Sequence, residues 1–586
     1  MRRAYIALGL AGLAGAGLYS RRRALLGRAL GLRPAEHAVV VERDVPIAMP
    51  DGATLYADHL RPTAPGTYPT ILIRTPYGRP SETGLFSLLL NGSPALFAER
   101  GYHVVVQGTR GRFRSEGAFE PFLREREDGL ATLDWMAAQP WFDGNLGMWG
   151  ASYVGYTQWA VAADAPPFLK AIVPVHSTSR FSGALYPHGS FGYEFALRWA
   201  HLLRATDLPG RGLDLAAAAQ LTSPRREAAL SGAMARAPFA EADVAALGEA
   251  LPCYRRWLAE ADHAAPYWRA ADHDRGLGRV GAAVHLVAGW HDFFLPGQLA
   301  DYSDLLAAGR SPFLTVLPRS HTDIAMQYDG MREGLWWFDA HLKGRRELLE
   351  RRAVRLALMG SREWHEMDFW PPPARTTRLY LRAGGQLAAA PGAGGPSRYS
   401  FDPRDPTPAV GGPVFNPRAG ARDQGPVEAR PDLLTFTGDP LPADLDVVGH
   451  VRLELYARSS LPHADFVGRL CDVSPDGRSL NVCEGMLRVA PGVGEPQPDG
   501  SLRLEIDMWA TARRFRAGHR LRLHVCSGAH PRWSVNSGDG RPLAAGAPDG
   551  PVAEQTIFHD PDRPSALVLP VVSAETRRAM AWGTPS

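Results

Sequence analysis

Along the first 350 residues, short apolar runs recur between turn residues. TILIRTPYG, GYHVVVQGTRG, GNLGMWGAS, LKAIVPVHS, AAVHLVAGWHD and PFLTVLPRSH are apolar at successive rather than alternate positions, the mark of strands buried on both faces. Between several of them lie segments with helical spacing, such as EREDGLATLDWMAAQ. Strands alternating with helices predict a parallel sheet covered on both sides. Ahead of these, AVVVERDVPIAMPDGATLYADHLRP alternates apolar and polar residues around Pro50-Asp51-Gly52, a hairpin pattern. From 178 to 278 an Ala-, Leu- and Arg-rich stretch with helical periodicity interrupts the alternation and reads as a helical cap inserted in the first unit. WWFDAHLKGRRELLERR reads as the helix that closes this unit.

Beyond residue 352 the period changes to two. RLYLRAGGQL, HVRLELYARSS, DFVGRLCDVSPDG, LRLEIDMWA and HRLRLHVCSG are short alternating strands between Gly, Pro and Asp turns, which predicts an all-β sandwich or jelly roll. The Pro/Gly-rich region from about Ala388 to Pro431 reads as its loops. The expected organisation is a leader over 1–35, a catalytic α/β domain over 36–351 containing the cap over 178–278, and a β-sandwich over 352–586.

Composition narrows the classes. At 586 residues the chain is too long for one core. With 64 basic and 61 acidic residues and no long run of either sign, it carries no footprint for nucleic acid. Four cysteines without a C-x-x-C spacing do not make a zinc site of that type. Cys471 and Cys483 could pair if the chain is exported, but buried free thiols are the simpler reading. The apolar stretch Ala4 to Tyr19, between Arg2-Arg3 and Arg21 to Arg23, is shorter than the roughly 20 residues of a spanning helix. The trailing arginines oppose translocation. An uncleaved membrane anchor, a signal peptide and a cytosolic leader stay open, the first two being favoured, and membrane contact is expected only there. Homo-oligomerisation is left open.

The candidate chemistry sits in GMWGASYVGYTQWA, where Ser152 lies between Gly150 and Gly155 at a strand-to-helix turn. The usual nucleophile elbow is G-x-S-x-G; here the second glycine comes one residue late, and Val154 takes its place. A serine nucleophile needs a base, and the base works best when a carboxylate fixes its tautomer. Two later strand ends supply these types in the order Ser, Asp, His: HLVAGWHD ends on Asp292, and FLTVLPRSH on His321. Each alone is weak, since a serine in a glycine-flanked turn is usually only a turn and Asp292 could simply cap the next helix. Together, at three strand ends, they favour chemistry. His291 competes as the base and Asp323 as the acid.

With these residues in place the chain resembles the bacterial cocaine esterase / X-Pro dipeptidyl-peptidase family of serine hydrolases, which includes α-amino-acid ester hydrolases. The family elbow reads G-x-S-Y-x-G, which GASYVG matches residue by residue. RTPYG, GYHVVVQGTRGRFRSEGAFEPF, GWHDFF, DLLTFTGDPLPADLDVVGHVRLELYARSS and ARRFRAGHRLRLHVCSGAHPRW match its other landmarks in order. The resemblance implies an α/β-hydrolase domain with a helical cap, followed by a jelly-roll (galactose-binding-like) domain. It implies Ser152 as nucleophile, Asp292 as orienting acid, His321 as general base, and an oxyanion hole made by the Tyr77 hydroxyl and the Tyr153 N–H. Phe294 matches a position near the acyl pocket. The implied reaction is hydrolysis of a small-molecule ester or amide through an acyl-enzyme, with no cofactor and no metal. X-Pro dipeptidyl-peptidase or α-amino-acid ester hydrolase activity is the alternative, although no carboxylate cluster for an α-amino group is evident. A catalytically silent scaffold or glycan-binding protein is the alternative of another class. Where the family carries Asp in Q-D-x-R-G, this chain has Gly108, which could loosen a contact of Arg110. GLGRVG precedes a strand instead of following one, so it reads as a linker turn and not as a dinucleotide fingerprint.

Overall fold

The computed structural model describes residues 23–83, 93–206 and 223–583. The alternating segment at the start forms the antiparallel hairpin β1 (Val39–Ala48) and β2 (Thr54–Pro62). Six strands follow: β3 (Thr70–Thr75), β4 (His103–Gly108), β5 (Leu146–Ala151), β6 (Leu169–Val175), β7 (Ala283–His291) and β8 (Phe313–Ser320). They pair in the order β1-β2-β4-β3-β5-β6-β7-β8 and are parallel from β4 onward. The continuous apolar runs have the reason the pattern implies. On β3, Ile71 and Ile73 enter the core on one face of the sheet while Leu72 enters the core on the other.

Helices cross between the strands: α1 (Glu125–Ala137), α2 (Tyr153–Ala162), α3 (Tyr193–Ala205, in the cap), α4 (Leu295–Ala307) and α5 (Ile324–Leu342). The described rest of the cap between β6 and β7 includes the helices Phe181–Leu185, Pro224–Arg236, Pro252–Ala259 and Pro266–Ala271. Its centre is aromatic, with Trp199 stacked on Trp257 at 5.1 Å.

Helix α5 starts twelve residues ahead of the WWFDAHL segment that announced it. Gly330 and Gly334 obscure its first half in the sequence, and packing explains both: a Cβ would meet Val175 at 2.8 Å from Gly330 and Trp149 at 2.7 Å from Gly334. The helix is capped by Asp323, whose carboxylate accepts the Ala325 N–H at 3.0 Å, and it ends before Gly344, at φ +72°. The sheet then runs on past residue 351. Val354–Ala357 adds to β8 in parallel, Trp364–Met367 pairs antiparallel with it, and Ala581–Gly583 returns from the chain's far end to pair antiparallel with Trp364–Met367. The open edge of β8 offers unpaired backbone groups to the first strand-forming segment that follows α5.

The remaining C-terminal part is all-β. Leu445–Ser459 pairs antiparallel with Leu502–Phe515, and Ala464–Val473 lies between Ser479–Val489 and Arg520–Cys526. The two layers face each other, because a Cβ on Gly468 would come within 3.1 Å of both Leu453 and Met508. The segment read as loops contains one strand, Ser397–Phe401, and one short helix, Gly425–Glu428. All four cysteines are free thiols, and burial pushes the Cys471 thiol up to about 12. The apolar stretch Ala4 to Tyr19 lies outside the described residues. Among those described, no helix is long and apolar enough to cross a membrane.

Candidate active site

The turn after β5 places Ser152 at φ +57°, ψ −124°, with its N–H bonded to the Val175 carbonyl of β6 at 2.9 Å. A non-glycine residue held at positive φ costs energy that only a functional or packing requirement sustains. The late glycine now has a physical reason. A Cβ on Gly155 would stand 2.5 Å from the Ser177 side chain and 3.1 Å from the Gly150 carbonyl. Val154 instead packs on the other glycine, where a Cβ at Gly150 would stand 2.1 Å from it. Helix α2 thus closes on β5 through residue 154 and on the end of β6 through residue 155.

Asp292 follows β7 and His321 follows β8, and the sheet brings both to Ser152. His321 Nε2 lies 3.0 Å from Ser152 Oγ, and His321 Nδ1 lies 2.9 Å from Asp292 Oδ2. A carboxylate only accepts, so Nδ1 carries the proton and Nε2 is free to accept the serine proton. Asp292 Oδ1 also accepts the Phe294 N–H at 2.8 Å, just ahead of α4. Burial disfavours its charged form, but His321 and His176 facing it keep its carboxyl well below the usual range.

The Tyr77 hydroxyl faces Ser152, and the Trp199 indole N–H donates to it at 3.1 Å. Indole nitrogen can only donate, so the tyrosine oxygen accepts that bond and keeps its own proton for another partner. Burial pushes the Tyr77 hydroxyl up to about 12, so it stays a donor at neutral pH. Tyr153 opens α2, and an N–H at that position has no acceptor within the helix. Its side chain is anchored away from the serine, donating to Glu125 Oε1 at 2.9 Å and accepting the Phe122 N–H at 2.9 Å.

Beside Ser152 is a small aromatic pocket with Tyr153, Tyr156, Phe181, Phe195, Trp199 and Phe294 in its walls. A larger cavity of about 470 Å³ opens between the cap, the catalytic sheet and the C-terminal unit, sharing Phe195 with the small pocket and adding Phe293, Trp509 and Trp533. Phe293 lies between it and the imidazole, stacked on His321 at 4.2 Å. The C-terminal unit reaches the same ring: Phe415 stands edge-on to His321 at 5.5 Å. Its loop is held there by Glu194 of α3, which accepts the Phe415 N–H and the Asn416 amide at 2.8 Å each. Thr322, next to His321, donates to the Asn416 carbonyl at 3.0 Å.

The competing residues are used elsewhere. His291 is buried towards Arg513 and Glu484 of the C-terminal unit, and Asp323 caps α5 and pairs with Arg319. Arg110 is not loosened beside Gly108, because Asp128 grips it with two hydrogen bonds, at 3.0 and 2.6 Å. Sequence reasoning missed four contributors. His176 shares Asp292, Trp199 holds Tyr77, Glu125 anchors Tyr153, and Phe415 flanks His321. His176 alone left a visible signal, a histidine directly after a buried strand in LKAIVPVHS. Two groups bring metal-binding residue types together among the described residues: His176, Asp292 and His321, and Glu428, Cys471 and His524. In the first, both Nδ1 atoms are spent on Asp292 and His321 Nε2 on Ser152. In the second, His524 bonds Glu428 at 2.9 Å, Arg522 pairs with the same carboxylate, and the thiol is held protonated.

Residues 51–323 match the X-Pro dipeptidyl-peptidase (S15 family) pattern, and residues 350–568 match the X-Pro dipeptidyl-peptidase C-terminal non-catalytic domain. The chain is 31% identical to the cocaine esterase of Rhodococcus sp. (strain MB1 Bresler), covering 91% of this chain and 98% of that one. Its fold is similar to that of an α-amino acid ester hydrolase (TM-score 0.77, 24% identity, 92% of this chain and 98% of that one). It is also similar to an aminopeptidase from a marine sediment Thaumarchaeota archaeon (TM-score 0.77, 22% identity, 92% and 96% covered). With the elbow, the sheet order and these likenesses together, the chain belongs to the cocaine esterase / X-Pro dipeptidyl-peptidase family of α/β-hydrolases and is a serine hydrolase.

Proposed function

We propose that the protein hydrolyses carboxylic esters with a compact, uncharged acyl group. The carrying observation is the unbroken hydrogen-bond chain Ser152–His321–Asp292 at 3.0 and 2.9 Å, its serine at positive φ. In this reading Ser152 Oγ attacks the ester carbonyl while His321 Nε2 takes its proton. The oxyanion forms between the Tyr77 hydroxyl and the Tyr153 N–H, both placed to donate. His321 returns the proton to the leaving alkoxide, and water repeats the sequence to release the acid. Asp292 holds the tautomer and stabilises the imidazolium that forms in between.

The small pocket supports an uncharged acyl group. Among the described residues its walls include no acidic side chain, so a substrate ammonium placed there would be desolvated without a partner. The leaving group is then directed past Phe293 into the larger cavity. The S15 match favours X-Pro peptidase activity as the second reading. A fluorophosphonate label on the full chain, lost in Ser152→Ala, tests the nucleophile. Turnover of short acyl and benzoyl esters without turnover of Xaa-Pro anilides supports the ester reading, and the opposite preference overturns it.

A further inference from the structure

Asp292 has one more partner than a serine–histidine–acid relay requires. Its Oδ2 accepts His321 Nδ1 at 2.9 Å and also His176 Nδ1 at 3.1 Å. His176 comes directly after β6, at φ +33°, with its N–H bonded to the Val287 carbonyl of β7 at 2.7 Å. The preceding residue, Val175, holds the N–H of Ser152. Two consecutive residues therefore tie the nucleophile's backbone and the acid's side chain to one strand end. The two imidazoles lie 4.3 Å apart, and His176 is 3% exposed.

The protonation pattern follows from the partners. Asp292 only accepts, so His176 carries its proton on Nδ1, and its Nε2, buried without a protein partner, is bare. Asp292 and His321 are the titratable groups that face it, from the ends of β7 and β8. Burial, then the neighbouring His321, push His176 down to about 4. At neutral pH it is an uncharged donor aimed at the acid.

We propose that His176 is a positioning residue of the hydrolytic site, whose Nδ1–H takes a share of the Asp292 charge and thereby fixes the carboxylate and restrains the basicity of His321. This rests on the Ser152–His321–Asp292 assignment above. A carboxylate oxygen with two donors stabilises a neighbouring imidazolium less than one with a single donor.

The test compares His176→Leu with His176→Asn in the full chain. The two side chains have the same shape, and Asn carries an amide N–H where the ring has Nδ1. The pH dependence of kcat/KM on a neutral ester is the readout. Removing the donor in His176→Leu raises the acid-limb pKa by about 1 unit and lowers kcat/KM by up to about tenfold on the acid side of that limb, while His176→Asn keeps the wild-type limb. Should His176→Leu fail to fold, His176→Gln moves the amide to the place of Nε2 and is expected to show the same rise. Coincident limbs in the donor and non-donor variants overturn the role of His176. If they coincide while His321→Ala is inactive, this inference alone fails. If His321→Ala keeps near-normal turnover, the underlying assignment fails with it.

Discussion

Asn416 of the C-terminal unit donates its amide to the Glu194 carboxylate of the cap helix at 2.8 Å, one residue from the ring that Phe415 sets against His321. Cap, catalytic sheet and β-unit meet at this bond. Glu194 is buried and also pairs with Arg198 at 2.7 Å, so the loop it holds is fixed by a charged acceptor and not by a surface contact. Asn416→Ala removes one of the bonds holding the Phe415 loop and is expected to loosen it and lower kcat/KM by up to about tenfold, equivalent to about 1.4 kcal/mol. Ester kinetics alongside a thermal melt check this, and unchanged kcat/KM would show that the loop's position is irrelevant to the reaction.

Ser152→Ala and His321→Ala should each lower kcat by roughly 10⁴–10⁶, and the double variant should be little worse than either alone, because residues that act as a unit do not contribute additively. The apparent Tm should change little. Steady-state kinetics on one activated ester measure all three, and additive losses would separate the two residues.

Tyr77→Phe removes the hydroxyl between Trp199 and Ser152, and is expected to cost about 10²–10³ in kcat with KM nearly constant. Trp199→Phe keeps the hydroxyl but removes the bond that orients it, along with part of the pocket wall, so its loss in kcat should be smaller. Equal losses would mean that Tyr77 acts through packing.

Far from the serine, His59 Nε2 and His103 Nδ1 lie 2.8 Å apart, against Trp141. Burial lowers both imidazoles from 6.5 to about 4 in the folded chain. Between these values the unfolded chain binds more protons, so the stability present above pH 6.5 is lost as pH falls towards 4. The apparent Tm should drop between pH 7 and pH 5, and less so in His103→Phe, which is itself less stable at pH 7. Melts at the two pH values decide this.

The sequence discloses those parts of the molecule that are governed by local rules. Continuous apolar runs located β3 to β8 because burial on both faces leaves few exposed positions. Ser152, Asp292 and His321 were visible because each directly follows such a run. What stayed hidden depends on contacts distant in the chain. Gly330 and Gly334 look like helix breakers until Val175 and Trp149 are seen against them. Trp199 looks like cap core until its N–H is found on Tyr77. No periodicity could announce Phe415, which lies in a proline-rich loop and acts on a histidine 94 positions earlier, counting from residue 321 to residue 415.

That distance matters for the order in which the protein is made. A nascent chain that has emerged as far as residue 351 already holds hydroxyl, imidazole and carboxylate, yet one side of the imidazole lacks the ring that the finished enzyme puts there. The surroundings of the imidazole are therefore complete only when both units of the chain are in place. Losing this loop would remove the ring and the Thr322–Asn416 bond beside the base while leaving hydroxyl, imidazole and carboxylate in the chain.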